Sequence, residues 1–419
     1  MKILVVGSGA REHAICWKLN QSNKVSKIYC APGNAGISEI AEIVNIKVNN
    51  LGELTRFSVD NKIDLVVIGP EGPLVDGLVD ILEEKGIRAF GPNKKGARLE
   101  GSKSYSKNFM QKYDIPTAKY EVYSDLNEAL EGLKNFEEQV VVKADGLAAG
   151  KGVLICQNKD EATSAIKSIL TDKQFGEAGS TIVIEEYLNG METSLLCFVD
   201  GKNIIPMESA RDYKKAYDED KGLNTGGMGC FSPNPIYTEN LNNYIKENIL
   251  DKTLEGFYTE GIDFKGVLFI GLMIQGEKAK VLEYNTRFGD PETEVVLPRL
   301  KSDLVDIMEK CIDGNLSDSD LKWSKEKSAT VILASGGYPE NYEKGKEIIG
   351  LNLVDDDIIL FHGGTKFSND DKIITDGGRV LAVTALGKTL IEARQKVYEN
   401  INKINYEKMQ YRKDIAKII

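Results

Sequence analysis

Three side chains near position 285, spaced two residues apart, could together bind a metal ion and an anion. Glu283, Asn285 and Arg287 end an alternation of apolar and polar residues that predicts a half-buried strand, on which they point to one face. Carboxylate and amide oxygens are hard ligands of the kind that Mg²⁺ takes beside substrate phosphates, and a guanidinium suits a carboxylate or phosphate. Gly289-Asp290-Pro291 then breaks the strand. The pattern predicts a site, with a strand that has a charged solvent face as the alternative.

A second candidate site combines lysines with a loop of small residues. Lys143 follows an apolar strand-like run, and Lys151 lies in the loop Gly146–Gly152, whose small residues let the backbone close over a phosphate chain. The loop is not a P-loop, because GxxxxGK[ST] is absent and a strand, not a helix, follows. Lys103 lies in the first turn of a helix that Ser102 is predicted to cap, where a cation opposes the helix dipole unless it binds an anion. These lysines predict a phosphate site, with a flexible hairpin as the alternative.

Glutamates at strand ends and a long polar segment add further candidates. Glu185 and Glu186 end a predicted strand whose exposed backbone could bind a purine edge, and Glu192 could accept hydrogen bonds from ribose hydroxyls. Taken alone, each glutamate is more simply a solvated charge. The segment 209–229 is polar and glycine-rich with little periodicity, which is typical of a functional or a disordered loop, and its Thr-Gly-Gly-Met-Gly end favours a substrate loop.

The elements that must position these residues begin with an open, parallel α/β domain. Lys2–Gly7 is typical of a buried parallel strand, and a glycine turn and a helix follow it. Glu12 stands where a dinucleotide fingerprint has its third glycine, so we predict no dinucleotide site. The turn at Gly9 still aims backbone N–H groups at a small anion, with Arg11 beside it, although a tight turn without a ligand is the alternative.

The last ninety residues predict a small, largely antiparallel β domain with a closing helix. Glycine turns there carry Lys366 and Arg379, which could complete an anion site, whereas His362 is interpreted as structural. The chain thus combines α/β and α+β parts in several domains, as its 419 residues allow.

Composition excludes several classes of function. The net charge of −11 argues against nucleic-acid or anionic-membrane binding. Six scattered cysteines without a CxxC pair predict reduced, buried thiols in a cytoplasmic protein. The sequence contains no run of 18 apolar residues and begins directly with a strand, so we expect neither a transmembrane helix nor a signal peptide. Two histidines exclude a histidine-rich metal site.

Motifs along essentially the whole chain resemble the ATP-grasp superfamily, and within it the phosphoribosylamine–glycine ligase family of purine biosynthesis. The set formed by VKADGLAAGKGV and RFGDPE is highly specific. The matching stretches, in order, are GSGAREH at 7–13, APGNAG at 31–36, GPEGPL at 69–74, GPN at 91–93, LEGSK at 99–103, VKADGLAAGKGV at 142–153, IEEYL at 184–188, NTGGMG at 224–229, EYNTRFGDPE at 283–292, GGYP at 336–339, HGGTK at 362–366 and GGRVL at 377–381.

The resemblance implies an enzyme that uses ATP to join glycine to 5-phosphoribosylamine, giving glycinamide ribonucleotide, ADP and phosphate through a glycyl phosphate. It implies three domains: an N-terminal α/β domain (1–101), an ATP-grasp domain (102–326) with a lid-like subdomain (120–189), and a C-terminal domain (327–419). It also implies a cytoplasmic monomer or weak homodimer that binds small molecules and neither nucleic acid nor membrane.

The resemblance further implies the positions of the metal and of ATP. Glu283 and Asn285 match ligands of Mg²⁺ or Mn²⁺, while Lys103 and Lys143 match lysines on the ATP phosphates. The covering loop would contribute Gly146, Gly150, Lys151 and Gly152. The adenine and ribose contacts would come from Glu185, Glu186, Tyr187, Leu188 and Glu192.

For catalysis, the resemblance implies roles for Arg287, Lys143 and Asp212, with Arg287 facing the carboxylate or acyl phosphate. The residues that would bind glycine or phosphoribosylamine are Gly9, Arg11, Glu71, Asp212, Lys214, Asn224, Thr225, Gly226, Gly227, Met228, Gly229, Arg287, Asp290, Pro291, Glu292, Gly378 and Arg379.

Two positions depart from the family's pattern. Ala10 replaces a glycine, and Glu294 stands where the family has a neutral residue, so an extra carboxylate near the metal could change the metal number or the pH profile. The alternatives are another ATP-grasp carboxylate–amine ligase with a different substrate pair, and a non-catalytic ATP sensor. A sensor should have lost a metal ligand or a phosphate lysine, and this chain retains both kinds.

Overall fold

The structure, a computed structural model that describes residues 1–148 and 150–417, begins with a five-stranded parallel sheet of order β3-β2-β1-β4-β5. In chain order the elements are β1 (Lys2–Gly7), α1 (Ala10–Leu19), β2 (Lys27–Pro32), β3 (Glu42–Ile43), α2 (Leu51–Asp60), β4 (Leu65–Ile68), α3 (Glu71–Val75), α4 (Leu78–Glu84), β5 (Arg88–Phe90) and α5 (Lys94–Gly101). Since the chain reverses its winding between β1 and β4, the turns after these two strands, at Gly9 and at Glu71, lie at the point where open α/β sheets bind ligands.

A four-stranded antiparallel sheet of order β6-β9-β7-β8 follows, with two helices packed on one face. Its elements, preceded by one helix, are α6 (Lys103–Lys112), β6 (Tyr120–Tyr123), α7 (Leu126–Gly132), β7 (Val140–Ala144), β8 (Val153–Cys156), α8 (Lys159–Leu170) and β9 (Ile182–Glu186). Ser102 caps α6 as predicted, because its Oγ accepts a hydrogen bond of 3.1 Å from the backbone N–H of Tyr105. This cap fixes where Lys103 begins the helix.

A second antiparallel sheet, of order β11-β10-β16-β17, carries the candidate metal ligands on its edge strand. The elements of this part are β10 (Met191–Asp200), β11 (Ile204–Pro206), β12 (Arg211–Asp212), β13 (Lys215–Tyr217), β14 (Lys221–Asn224), β15 (Gly229–Ser232), α9 (Glu239–Ile245), α10 (Asp251–Glu260), β16 (Lys265–Gln275), β17 (Lys278–Asn285), α11 (Thr293–Val296) and α12 (Leu304–Asp313). The segment 209–229, predicted as a loop, instead contains β12 and the hairpin of β13 and β14.

The C-terminal part is mainly antiparallel, as predicted, and is closed by a helix. Its elements are β18 (Lys327–Ser335), β19 (Ile358–His362), β20 (Thr365–Phe367), β21 (Ile373–Thr375), β22 (Arg379–Gly387), α13 (Leu390–Ile401) and β23 (Met409–Gln410). Two strands of the preceding part, β12 and β15, extend this sheet in the order β12-β15-β18-β22-β19. The C-terminal sheet is therefore continuous with the segment that carries Asp212.

The two histidines join the N-terminal and C-terminal parts. The backbone N–H of His362 donates a hydrogen bond of 2.8 Å to His13 Nδ1, and Asn34 Nδ2 donates one of 2.6 Å to the His362 carbonyl. Both rings are buried, and a Cβ on Gly36 would lie 2.4 Å from the ring of His362, so the position requires glycine. Burial lowers the pKa of His13 to about 3, with a contribution from His362, and burial lowers that of His362 to about 4. His362 is thus structural, as predicted.

The cysteines follow the sequence prediction, since all six are buried free thiols. Among the residues that the structure describes, no helix has both the length and the apolar character needed to cross a membrane.

We expect neither imidazole to titrate between pH 8 and pH 5 in the folded protein, and histidine ring NMR signals over this range would test this directly. The unfolded chain should titrate near pH 6.5, which urea-unfolded protein would show as a control. Because both folded-state pKa values lie below the unfolded-state value, the two histidines contribute their full stabilisation above pH 6.5. The free energy of unfolding should fall as the pH drops from 6.5 toward 4, by about 1.4 kcal/mol per pH unit for each histidine. A ring signal with a midpoint near 6.5 in folded protein would contradict this assignment.

Candidate active site

A cleft of about 640 Å³ lies between the two antiparallel sheets. Apolar side chains from both sheets, such as Val141, Ile155, Met273 and Leu282, line one part of it, and charged side chains line the rest. A cavity with apolar walls and a few convergent charges has the form of a ligand site.

A β-bulge places the candidate metal ligands on the wall of this cleft. Gly271 pairs with Glu283 whereas Leu272 pairs with Val281, so Leu282 is an extra residue in β17. Val281 and Tyr284 are therefore both in the core, while Glu283 and Asn285 line the cleft. Regular alternation would instead have put Glu283 on the same face as Val281.

Glu283 and Asn285 fit a divalent cation that is shared with a phosphate. Asn285 Nδ2 donates a hydrogen bond of 3.4 Å to Glu283 Oε1, so the two side chains lie side by side. Burial opposes ionisation of Glu283, but Lys143, Lys214 and Lys103 outweigh it and lower its pKa. Over residues 1–148 and 150–417 no group of three or more His, Cys, Asp or Glu side chains could hold a metal. This pair matches a cation that keeps most of its coordination for water and substrate phosphates.

The phosphate lysines lie on the same cleft and are held by short contacts. Lys143 Nζ lies 2.8 Å from Glu185 Oε1, and Lys103 Nζ donates a hydrogen bond of 3.1 Å to the Gly146 carbonyl. The other oxygen of Glu185 is 2.9 Å from Lys107 Nζ, and both residues are buried. The Glu185 side chain thus positions the two lysines. Lys107 was not predicted from the sequence.

Arg287 reaches the cleft between two carboxylates of the N-terminal part. Its Nε lies 3.3 Å from Glu71 Oε2 and its Nη2 lies 3.0 Å from Glu100 Oε1. The other oxygen of Glu100 accepts a hydrogen bond of 2.7 Å from the backbone N–H of Thr286. Burial raises the pKa of Glu100 despite Arg287, whereas at Glu71 Arg287 and Arg11 outweigh burial and lower it. Glu100, which the sequence prediction missed, anchors the turn that carries Arg287.

Acidic side chains surround Lys214, which also acts on Glu283. Lys214 Nζ lies 2.7 Å from Asp212 Oδ2, and Glu292 Oε1 accepts a hydrogen bond of 2.8 Å from Ser194 Oγ. Burial raises the pKa of Asp212 to about 7, although Lys214 opposes the shift. Gly227 has φ +114, and a Cβ there would lie 2.6 Å from Asp212 Oδ1, so only glycine allows this close approach. The arrangement provides carboxylates for a cationic or amine substrate.

A smaller cavity, of about 280 Å³, lies between the turn after β1 and the C-terminal sheet. Its lining includes Gly9, Asn34, Gly364 and Arg379, and it shares Asp290 with the larger cleft. Arg379 Nη1 lies 2.8 Å from Asp290 Oδ1 and donates a hydrogen bond of 2.7 Å to the Gly226 carbonyl. One ion pair therefore stands where the two cavities meet.

Two residues besides Glu185 have different surroundings from those expected. Arg11 is buried behind the turn, where its Nε lies 2.6 Å from Glu12 Oε1 and its Nη1 donates 3.2 Å to the Phe288 carbonyl, so it supports the site from behind. Glu294 is fully buried and lines neither cavity, which removes the expected extra carboxylate at the metal.

The structure brings most of the predicted site residues together. The larger cleft is lined by Glu71, Lys103, Lys143, Gly150, Gly152, Glu185, Glu186, Tyr187, Leu188, Glu192, Asp212, Lys214, Asn224, Thr225, Gly226, Glu283, Asn285, Arg287, Asp290 and Glu292, and the smaller cavity by Gly9, Asp290 and Arg379. Neither lining includes Arg11, Gly146, Lys151, Gly227, Met228, Gly229, Pro291 or Gly378. Ala149, in the predicted phosphate loop, and Ile418 and Ile419, in the predicted C-terminal domain, lie outside the described residues.

Comparison with known proteins gives three matching family models. They are described as the N domain (residues 1–100), the ATP-grasp (A) domain (residues 101–293) and the C domain (residues 328–418) of phosphoribosylglycinamide synthetase. A phosphoribosylamine–glycine ligase of Caldanaerobacter subterraneus subsp. tengcongensis is 49% identical over 416 residues, 99% of each chain. The trifunctional purine biosynthetic protein adenosine-3 of Gallus gallus is 47% identical over 421 residues, 99% of this chain and 42% of that protein. The crystal structure of phosphoribosylamine–glycine ligase from Thermotoga maritima matches with a TM-score of 0.87 and 35% identity, over 99% of this chain and 100% of that one.

We expect Glu100→Ala to lower the free energy of unfolding by about 3–5 kcal/mol, since it leaves Arg287 and the Thr286 N–H without their buried partner. Turnover should fall with it, because the Arg287 turn loses its anchor. Glu71→Ala provides the comparison: its side chain is 28% exposed, so its loss should cost only about 1 kcal/mol. Urea unfolding of both variants measures the difference, and equal losses would contradict the anchoring role of Glu100.

Proposed function

Because the chain belongs to the phosphoribosylglycinamide synthetase family, we propose that its larger cleft binds ATP and that its two cavities together bind glycine and 5-phosphoribosylamine. The protein is an ATP-dependent phosphoribosylamine–glycine ligase of purine biosynthesis. One observation supports the placement of its reaction above all others: Glu283 and Asn285, the phosphate lysines, and Arg287 line a single cleft.

In this assignment the nucleotide lies between the two antiparallel sheets. Lys103 and Lys143 contact the phosphates under the loop 146–152, and Lys151 extends from that loop. The backbone at Tyr187 and Leu188 takes the adenine edge. Glu192 accepts from the ribose hydroxyls. Glu186 stays at the rim of the adenine site, because its Oε1 lies 2.7 Å from Lys280 Nζ.

Glu283 and Asn285 would hold Mg²⁺ or Mn²⁺, which, when bound, supplies charge neutralisation to the phosphate oxygens. The chain's own contribution is to keep Glu283 ionised, through the three lysines around it, and to orient the Asn285 oxygen. Arg287 Nη2 donates a hydrogen bond of 3.3 Å to Asn285 Oδ1 and so links the metal pair to the reacting group.

The chemistry proceeds in two steps that need no protein nucleophile. A glycine carboxylate oxygen attacks the γ-phosphorus of ATP, giving glycyl phosphate and ADP. The amine nitrogen of phosphoribosylamine then attacks the carbonyl carbon. The C–N bond forms, the bond between the carbonyl carbon and the bridging oxygen breaks, and the proton lost by the nitrogen leaves with the phosphate. Lys143 and Arg287 stabilise negative charge that develops on the transferring phosphoryl group and the acyl oxygens, and the cleft provides positioning.

We place the acceptor at the junction of the two cavities. The phosphoribosyl group would lie in the smaller one, near the backbone of Gly9 and the side chain of Arg379 next to Gly378, with Arg11 and Glu71 supporting the walls. Its amine would face Asp212 and Lys214, whose segment is shaped by Asn224, Thr225, Gly226, Gly227, Met228 and Gly229. Asp290, Pro291 and Glu292 would close the site between glycine and the acceptor. The Asp290–Arg379 ion pair supports this arrangement, because Asp290 lines both cavities.

The remaining assignments concern organisation. We divide the chain into an N-terminal domain (1–101), an ATP-grasp domain (102–326) with the lid-like subdomain 120–189, and a C-terminal domain (327–419). The four-stranded sheet β6-β9-β7-β8 lies within the lid-like range, which supports the division. We propose a monomer or weak homodimer without nucleic-acid partners. Six buried free thiols support a reducing compartment, the cytoplasm.

ADP release measured with ATP, Mg²⁺, glycine and freshly prepared phosphoribosylamine, omitting each in turn, tests the substrate assignment. Release that requires both glycine and phosphoribosylamine supports it. Turnover with a different carboxylate or amine, but not with this pair, would keep the ATP-grasp mechanism and overturn the assignment.

Glu283→Ala should reduce turnover at least about 100-fold, because it removes the only carboxylate of the proposed metal pair. Its thermal unfolding should stay close to that of the unchanged protein, since the residue lies on a cleft wall and not in the core. Glu277→Ala, in the exposed turn between β16 and β17, is the matched control and should keep full activity. Normal turnover of Glu283→Ala would remove the residue from the metal site.

Lys143→Met should lower kcat/KM for ATP by a factor that corresponds to about 2–4 kcal/mol of lost transition-state stabilisation, the scale of a charge-assisted contact in a catalytic site. Lys134→Met, on the exposed surface of the same lid-like subdomain, should leave it unchanged. A steady-state ATP titration of both variants decides, and equal kinetics would place Lys143 away from the phosphates.

A further inference from the structure

A closed ring of ion pairs and hydrogen bonds lies in the wall of the ATP cleft and contains Lys107, a buried lysine with no assigned role. Its Nζ donates a hydrogen bond of 2.8 Å to Thr117 Oγ1 and lies 2.9 Å from Glu185 Oε2. Thr117 Oγ1 in turn donates 2.7 Å to the Val281 carbonyl. This half of the ring joins α6 to β9 and to the bulged strand β17.

The other half of the ring runs through the phosphate lysine. Lys143 Nζ lies 2.8 Å from Glu185 Oε1 and donates a hydrogen bond of 3.3 Å to the Leu282 carbonyl. Leu282 follows Val281 and is the bulge residue before Glu283. The ring therefore fixes Lys143 relative to the strand that carries the metal pair.

The charges in this ring are unequal, because two lysines share one glutamate. Lys107, Lys143 and Glu185 are 2%, 6% and 2% exposed, so water screens these charges little. Each carboxylate oxygen of Glu185 is taken by a different lysine. Without Lys107, the negative charge of Glu185 would neutralise the positive charge of Lys143.

We propose that Lys107 is a positioning residue that shares Glu185 with Lys143. Because Glu185 is shared, a net positive charge remains around Lys143 for the phosphates of ATP. The inference rests on the proposed function, in which Lys143 contacts those phosphates. Burial lowers the pKa of Lys107 to about 8, whereas Glu185 opposes this shift and favours the charged form. Lys107 acts through Glu185 and needs no contact with ATP.

A purely structural ring predicts a different outcome from a charge-sharing ring. If Lys107 only braces the cleft, removing it weakens every nucleotide or nucleoside that enters. If it tunes Lys143, only ligands with phosphates are affected, and neutralising Glu185 as well restores their binding. Adenosine, which lacks phosphates, and ATP are therefore the two probes.

The test measures dissociation constants of ATP and adenosine by calorimetry, without glycine, for Lys107→Gln, Glu185→Gln and the double variant, with thermal unfolding of each. Glutamine keeps a hydrogen-bonding group at position 107 but removes the charge. We expect Lys107→Gln to weaken ATP about 10-fold or more with adenosine unchanged within about twofold, and the double variant to recover ATP binding to within about threefold. Lys112→Gln, at an exposed position on the same helix, should change neither ligand.

Equal weakening of ATP and adenosine, or a double variant no better than Lys107→Gln, would overturn the proposal. If Lys107→Gln alone does not fold, a folded double variant with recovered ATP binding supports charge sharing, and failure of both to fold makes the ring structural. Lys143→Gln separates this proposal from the proposed function. Unchanged ATP binding by Lys143→Gln would overturn the placement of Lys143 at the phosphates. Weakened ATP binding by Lys143→Gln, together with unchanged ATP binding by Lys107→Gln, would overturn only the role of Lys107.

Discussion

Buried ion pairs that share partners determine how this cleft works. The whole chain carries a charge of −11, yet its proposed substrate is a polyanion, so positive charge must be concentrated locally. One glutamate, Glu185, serves two lysines, which leaves an excess of positive charge beside the metal pair. Around Lys214, which also acts on Glu283, the excess is negative, because Asp212, Glu292 and Glu192 act on this lysine. The lysines beside Glu185 therefore suit the phosphates of ATP, and the carboxylates of Asp212 and Glu292 suit the ammonium of glycine and the acceptor amine.

This division of charge depends on contacts between parts of the chain that are far apart in sequence. Arg287 is held by Glu71 and Glu100 of the N-terminal part, and Arg379 of the C-terminal sheet reaches the Gly226 carbonyl and Asp290. A buried charge is stable only with a well-placed partner, so each of these pairs fixes the relative position of the elements that carry it. The same contacts that hold the sheets together thus set the geometry of the reacting groups, and the site is complete only when all three parts are packed.

The structure brings the predicted metal pair and the predicted phosphate lysines into one cleft, but for Glu283 the reasoning from the sequence was incomplete. Strict alternation would put Val281 and Glu283 on one face; the bulge at Leu282 separates them, and no local signal announced it. Contacts between residues that are far apart in the sequence were also missed, because no local sequence pattern indicates them. Glu185 was expected at the adenine, although its side chain is taken by Lys143 and Lys107. A sequence signal for Lys107 did exist, because it lies four residues after Lys103 and therefore on the same face of one helix. Glu100, within the LEGSK motif, had no such signal before its contact with Thr286 was known.

Glu294 illustrates why a residue that departs from a family pattern must be placed before it is interpreted. From the sequence alone we expect it to add negative charge near the metal. In the structure it is fully buried, neither carboxylate oxygen has a hydrogen-bond partner among the described residues, and it lines neither cavity. Burial, reinforced by Asp290, raises its pKa well above the usual range and so favours the neutral acid. Because Glu294 lines neither cavity and its burial disfavours the charged form, its effect on the cleft is smaller than its residue type suggests.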